Sequence, residues 1–181
     1  MRKVYTSFAE SLDGFIEGPK GEIDWIVQDQ AHYKFLQELW ESTDTMLYGR
    51  KSYEVVVAAV RQSKSLMNPF KHMKHLVFSS SLGFVEEGFV LIREDAGRMV
   101  EKLKNEPGKD IAVFGGASLA CSLINRGLID EIIVALSPIL LGDGKRFFEG
   151  ITGRYKFKLK NAISYSSGLV VLTYTRSVAA A

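Results

Sequence analysis

Three short segments combine glycine, hydroxyl and basic side chains in the way that anion-binding turns do. They are residues 49–52, 79–81 and 115–119, and each follows a short apolar run. Such runs are typical of buried strands, and two of the three lead into a helical pattern. A helix N-terminus presents unpaired backbone N–H groups and a partial positive charge to a phosphate. The segments therefore predict phosphate binding at the ends of three strands.

Each segment also has a purely structural interpretation. Residues 49–52 could form a strand-to-helix turn with solvated cations, and the serine hydroxyls could cap backbone N–H groups. The glycine pair in the third segment permits close approach of a pyrophosphate, although it is not the GxGxxG fingerprint. Together the three segments suit a dinucleotide with an additional 2′-phosphate, so we expect NADPH. The candidate cofactor residues are Gly49, Arg50, Lys51, Ser52, Ser79, Ser80, Gly115, Gly116, Ala117, Ser118 and Leu119.

Three polar residues near the N-terminus are candidates for proton transfer, namely Asp13, Asp24 and His32. Asp13 precedes a glycine, so an Asx turn is its structural alternative. Asp24 could instead cap a short turn. His32 lies on the apolar stripe of a predicted helix, where a hydrogen-bonded core histidine is the alternative. If it faces a pocket, it is a natural proton donor near neutral pH.

Two aromatic residues, Trp25 and Phe35, are candidates for contact with a substrate ring. Aromatic side chains at helical spacing more often belong to the core. Trp25 is the stronger candidate, because it ends a glycine-rich segment over residues 10–29 that has the character of a functional loop.

Strands and helices alternate along the chain and then give way to a hairpin. This order predicts an α/β fold with a mainly parallel twisted sheet, helices on both faces and a C-terminal antiparallel hairpin. Asp95 is the predicted N-cap of the third helix, and Gly127 ends the fourth. Ligands bind such sheets at the carboxyl ends of the strands, where the three segments lie. Strands are predicted at 3–9, 45–49, 74–79, 89–92, 111–114, 132–136, 157–165 and 169–175, and helices around 32–40, 53–60, 96–103 and 119–124.

The composition narrows the possible classes of protein. The chain has 181 residues, 46% of them hydrophobic, and a net charge of +2, which argues against a dedicated nucleic-acid binder. A single cysteine excludes an intramolecular disulfide and a cysteine-rich zinc site, so no metal is expected. No apolar run approaches the length of a membrane span, and no signal peptide is evident. We expect one domain over residues 1–178 and a cytoplasmic location.

Several motifs, taken in order, resemble those of the RibD C-terminal reductase family, a branch of the dihydrofolate-reductase-like fold. They are residues 11–16, 24–25, 47–54, 113–118 and 138–144. The resemblance spans nearly the whole chain. It implies an NADPH-dependent reductase of a small pyrimidine or pteridine-type substrate, similar to the 5-amino-6-(5-phosphoribosylamino)uracil reductase of riboflavin biosynthesis. A homodimer is also expected.

The resemblance further implies a role for each segment. Gly49, Arg50 and Ser52 would hold the cofactor phosphates, Ser79 and Ser80 would contact the adenosine side with its 2′-phosphate, and residues 115–119 would wrap the pyrophosphate. Residues 17–24 would form a mobile lid that ends at Trp25.

One departure from dihydrofolate reductases affects the substrate. Those enzymes carry a buried carboxylate on the first helix that binds the pterin ring, whereas residues 32–36 here contain no acid. This argues against dihydrofolate itself. Two alternatives remain open at this point: a dihydrofolate or pteridine reductase, and a non-catalytic nucleotide-binding homo-oligomer.

Overall fold

The computed structural model describes residues 1–63, 67, 69–114 and 116–177. Within them the chain forms one eight-stranded sheet and four α-helices. The strands are Val4–Ser11 (β1), Thr43–Gly49 (β2), Lys74–Phe78 (β3), Phe89–Ile92 (β4), Asp110–Phe114 (β5), Glu131–Ser137 (β6), Phe157–Ser164 (β7) and Val170–Arg176 (β8). The helices are Gln30–Glu41 (α1), Arg50–Gln62 (α2), Ala96–Asn105 (α3) and Ala117–Asn125 (α4).

The strand order across the sheet is β4-β3-β2-β5-β1-β6-β8-β7. The first six strands of this order are parallel neighbours, and β8 and β7 are added antiparallel at the end. This arrangement confirms the predicted fold class. The predicted elements are all present, with ends that shift by at most three residues; β1, for example, continues to Ser11, into the segment predicted as loop.

Apolar side chains cover both faces of the sheet. On one face, Trp40 of α1 and Tyr53 of α2 pack on a core that includes Met46. On the other face, Val100 of α3 and Leu123 of α4 pack on the second core. The neighbouring strands β2 and β5 therefore send their helices to opposite faces. A crevice opens at such a divergence, and it is the usual ligand site of parallel sheets.

The ends of the helices follow the predicted signals. The Asp95 carboxylate accepts the Arg98 N–H at the start of α3, as expected for an N-cap. At the end of α4, Gly127 has a φ of 69°, and Gly127 and Leu128 donate to the carbonyls of the last helical turn. This is the Schellman arrangement that a glycine at this position favours.

Among the described residues, no helix is long and apolar enough to span a lipid bilayer.

Candidate active site

The helices α2 and α4 begin differently from the other two. Asp29 caps α1 and Asp95 caps α3, each with a carboxylate that accepts backbone N–H groups. The cap residues of α2 and α4 are Gly49 and Gly116, and among the described residues neither helix has a side-chain hydrogen bond at its cap. Their first-turn N–H groups are therefore available to an anion, which the field of the helix also favours.

These two helix starts are in close contact. Gly116 has a φ of 73°, and a Cβ added there would lie 3.2 Å from Ser52 Oγ and 3.5 Å from the Gly49 nitrogen. A Cβ on Gly49 would lie 3.8 Å from the Leu119 Cβ. Glycine is therefore required at position 116 both for its backbone conformation and for the close approach. The structure thus brings together two of the predicted phosphate-binding segments.

The remaining residues of these segments are placed as follows. Ala117 and Leu119 are buried in the core, whereas Ser118 is exposed at the start of α4. Lys51 is exposed in the first turn of α2. Gly115 lies outside the described residues.

A polar hollow of about 390 Å³ adjoins the start of α2, at the carboxyl ends of β3 and β4. We use this name for the space lined by Arg50, the serines 79–81, Arg93 and Glu94, together with apolar atoms. The guanidinium of Arg50 donates to Ser81 Oγ at 3.1 Å and to Glu54 at 2.7 Å. Arg50 and Arg93 offset the carboxylates of Glu94 in the lining and Glu54 beside Arg50, and their guanidinium groups with the serine hydroxyls supply donors that suit a phosphate monoester.

The serines of the hollow are held in a defined loop. Ser79 Oγ accepts the N–H groups of Ser81 at 3.2 Å and Leu82 at 3.1 Å, which is the capping role left open as an alternative. Arg93 donates to the carbonyls of Ser80 at 3.2 Å and Leu82 at 2.6 Å. The sequence analysis missed Arg93, although a basic residue directly after an apolar strand run was the available signal.

An apolar cavity of about 210 Å³ lies between α1 and the sheet. It reaches the ends of β1 and β5, and the predicted loop closes it with Ile26 and Val27. Phe114, the last residue of β5, remains 37% exposed and lines it. The other lining residues are Tyr5, Ser7, Phe8, Ala9, His32, Leu36, Leu39, Trp40, Met46, Ala112, Val113, Ala135 and Leu169.

Of the three predicted proton donors, His32 lies in the lining of this cavity. Its ring lies 5.7 Å from the ring of Tyr165 and 6.2 Å from that of Phe35. Among the described residues, its ring nitrogens have no hydrogen-bond partner. Burial lowers the pKa of His32, and the opposing effect of the nearby Asp29 carboxylate is smaller. The neutral imidazole is therefore favoured, with a nitrogen available to a ligand.

Asp13 is held at the base of the loop rather than in the cavity. Its carboxylate accepts Ser11 Oγ at 2.6 Å, and the N–H groups of Leu141 at 3.1 Å and Gly142 at 2.7 Å. These bonds, led by that from Ser11, lower the pKa of Asp13 to about 2. The group is thus an ionised anchor between the loop and residues 141–142, and it does not form the Asx turn that the sequence left open, because Ser11 Oγ accepts the Phe15 N–H.

The other predicted residues lie outside the cavity lining. Asp24 is exposed on the loop, and Trp25 donates its indole N–H to the Glu22 carbonyl at 3.0 Å. Phe35 packs on the core cluster, whereas its neighbour Leu36 lines the cavity. Their roles toward a substrate stay predictions.

Comparison with known proteins decides the family. Residues 2–171 match the family model of the RibD C-terminal domain. The chain belongs to the RibD C-terminal domain family. One relative of this RibD C-terminal chain is YyaP of Bacillus subtilis, an uncharacterized protein. The two are 36% identical, and the match covers 96% of this chain and 94% of YyaP.

Solved structures agree with this assignment to the RibD C-terminal family. A Shewanella protein described as a riboflavin biosynthesis protein has a TM-score of 0.81 at 22% identity, covering 97% of this chain and 99% of its own. The Thermotoga maritima diaminohydroxyphosphoribosylaminopyrimidine deaminase/5-amino-6-(5-phosphoribosylamino)uracil reductase has a TM-score of 0.71 at 16% identity, and this chain spans 57% of it. These likenesses confirm the dihydrofolate-reductase-like fold, and the family supports an oxidoreductase.

Proposed function

We propose that this RibD C-terminal family member is an NADPH-dependent reductase that delivers hydride to a C=N or C=O group of a small pyrimidine or pteridine-type ring. The observation that carries the proposal is the meeting of two helix starts without side-chain caps, where Gly116 lies within van der Waals reach of Gly49 and Ser52. We call this contact of Gly49, Ser52 and Gly116 the cradle. A Cβ at Gly116 would intrude on it, whereas glycine leaves the backbone of both helix starts open to a pyrophosphate.

The polar hollow would take the 2′-phosphate. It lies beside the start of α2, so one nucleotide can reach both places. Arg50 already has a guanidinium nitrogen within the hollow, and Arg93 fixes the loop of serines that forms its wall. A hollow with guanidinium and hydroxyl donors favours a phosphate monoester over the bare ribose hydroxyl of NADH.

The apolar cavity would take the acceptor ring. The cofactor, when bound, supplies the hydride. The residues of this chain would align the acceptor ring between α1 and the sheet and exclude water from it. His32 would donate the proton that the acceptor nitrogen or oxygen gains, because its ring is the titratable group at the cavity wall with nitrogens free to bond.

Equilibrium titrations with NADPH and NADH test the proposal. NADPH is expected to bind at least about tenfold more tightly, since one charge-assisted hydrogen bond contributes about 1.5–3 kcal/mol. NADPH oxidation is then followed by absorbance with dihydropteridine and aminopyrimidine acceptors. Absence of NADPH binding would overturn the proposal. Binding without oxidation by any acceptor would favour the non-catalytic nucleotide-binding alternative.

A further inference from the structure

The wall of the apolar cavity offers few polar contacts. Among the described residues that line it, none is Asp, Glu, Lys or Arg. The Tyr5 hydroxyl is not available, because it is buried and shares a 2.8 Å hydrogen bond with Thr43. The polar side chains left in the described lining are those of Ser7, His32 and Trp40, whose indole N–H is a donor. Such a wall suits a neutral ring with a few hydrogen-bonding atoms.

An anionic group would be poorly accommodated there. A phosphate or carboxylate that enters the cavity must lose water, and no cation of the described lining replaces that hydration. The cavity volume of about 210 Å³ is also small. It lies below the range of roughly 300–1,000 Å³ that complete drug-sized ligands occupy, so it holds a ring rather than a ring with a phosphoribosyl tail.

The side of the cavity beside His32 carries negative charge. Burial, followed by the charges of Asp29 and Glu38, raises the pKa of Tyr165, whose ring lies 5.7 Å from that of His32. Of the two carboxylates, Asp29 also acts on His32 in the cavity wall, and it accepts Ser167 Oγ at 2.6 Å. An acceptor with an anionic tail would meet repulsion on this side.

Two cations at the base of the loop already have partners. Lys145 pairs with Glu17 at 3.0 Å. The Arg146 guanidinium lies 4.4 Å from the centre of the Phe15 ring and donates to the Asp13 carbonyl at 3.1 Å. Recruiting either cation to an anionic tail would break these contacts.

We infer that the acceptor reduced by this chain is an uncharged planar ring, and that the apolar cavity discriminates against acceptors bearing a phosphate or carboxylate. The inference rests on the proposed reductase function, because it concerns the acceptor side of the same site. The inferred acceptor therefore differs from the phosphoribosyl-substituted pyrimidine in the name of the Thermotoga protein.

A matched pair of probes tests the inference. Quinazolin-4-one and its 7-carboxylate share one ring system and differ in charge. Each is titrated by calorimetry into the full chain, both with and without saturating NADP⁺. The neutral probe is expected to bind at least about tenfold more tightly in both states. In a Trp25→Phe background, the remaining tryptophan is Trp40, which lines the cavity, so its fluorescence should change with the neutral probe.

A charge placed in the wall provides the converse test. Leu36→Lys is expected to reduce the preference for the neutral probe by about tenfold, whereas Leu36→Met should preserve it. Thermal unfolding checks that both variants fold, and the titrations of the wild-type chain decide the inference if the lysine variant does not.

The outcomes separate the inference from the proposed function. Equal or tighter binding of the carboxylate, no binding of the neutral probe, or an unchanged preference in a folded Leu36→Lys variant would each overturn the inference. NADP⁺ binding is measured in the same samples. Its absence would overturn the reductase proposal, while the probe titrations without NADP⁺ would still decide the chemistry of the cavity.

Discussion

The polar hollow and the apolar cavity reach the same edge of the sheet but are built in opposite ways. The hollow is formed by consecutive residues just after β3 and β4, with the guanidinium of Arg50 added from α2. The cavity is assembled from α1, the loop before it and five strands or strand ends far apart in sequence. The hollow is open and lined by charged and hydroxyl groups, whereas the cavity is apolar. Under the proposed function, this contrast predicts that cofactor affinity and acceptor selection respond to substitutions in separate parts of the chain.

The largest effect is expected from substitution of His32, the proposed proton donor in the wall of the cavity. His32→Gln should lower kcat/KM for NADPH oxidation by roughly a hundredfold, the contribution typical of general acid catalysis. NADPH affinity should not change. Because burial lowers the pKa of His32 below its ordinary value of 6.5, wild-type kcat/KM should rise as the pH falls through that lowered value. The groups that face the ring, Asp29 and Tyr165, remain in the variant.

The control for His32 is His72→Gln, because His72 bonds the Thr43 carbonyl away from the cavity. It should retain both the rate and the pH profile. A His32→Gln variant that keeps the wild-type profile would remove His32 from proton transfer.

The second effect concerns the cradle between the two helix starts. Gly116→Ala should weaken NADPH and NADH alike by roughly thirtyfold, since the added Cβ displaces Ser52 and strains the backbone by about 1–3 kcal/mol. Gly88→Ala is the matched control. Its φ of 90° imposes similar strain, but nothing lies within 4 Å of the added Cβ. Equal loss of affinity in both variants would show that the cradle is not the binding site.

The third effect distinguishes the hollow from the cradle. Arg50→Ala should weaken NADPH by about tenfold and leave NADH nearly unchanged, because only NADPH carries the 2′-phosphate. Arg61 lies further along α2 and forms an exposed ion pair with Glu86. Arg61→Ala should therefore change the affinity for neither cofactor. A similar loss for both cofactors in Arg50→Ala would contradict the role assigned to the hollow.

The contrast between the two regions also explains what the sequence could predict. The cradle could be predicted because its glycines and hydroxyls are local signals at strand ends. Arg93 was missed, since its contribution appears only when β3 and β4 lie side by side and it can bond the carbonyls of Ser80 and Leu82. Helix α2 could be predicted despite its valines, because Val56 and Val57 lie on one face and pack on the core.

The cavity was harder to predict than the cradle. Phe35 and Leu36 lie about 100° apart around α1, at the two sides of one apolar stripe, and periodicity does not decide which side faces a cavity. In the structure Leu36 lines the cavity and Phe35 packs on the core. The carboxylates of the N-terminal segment were equally ambiguous. Asp13 and Asp24 are both beside turns, and only the tertiary contact with residues 141–142 shows which one is an anchor.

The smallest effect is expected at Asp13, and it concerns stability. Its folded pKa is about 2, below its ordinary value of 3.8, so its ionised form stabilises the fold above pH 3.8 and loses that effect as the pH falls toward 2. In the wild type the carboxylate accepts backbone N–H groups, including that of Gly142. Asp13→Asn replaces one of its oxygens with an amide N–H, which cannot accept them. The Tm of the variant should therefore lie below that of the wild type near pH 6, with a gap that narrows below pH 3.8.

The comparison variant for Asp13 is Asp143→Asn, because among the described residues the carboxylate of Asp143 bonds only the N–H of Gly144. Its Tm near pH 6 should match that of the wild type. If Asp13→Asn preserved Tm but flattened the pH profile of NADPH oxidation, proton donation would move from His32 in the cavity to Asp13 at the base of the loop. A structural anchor stabilises the folded state, so its substitution changes the curve of Tm against pH. A general acid protonates the acceptor, so its substitution changes the curve of NADPH oxidation against pH.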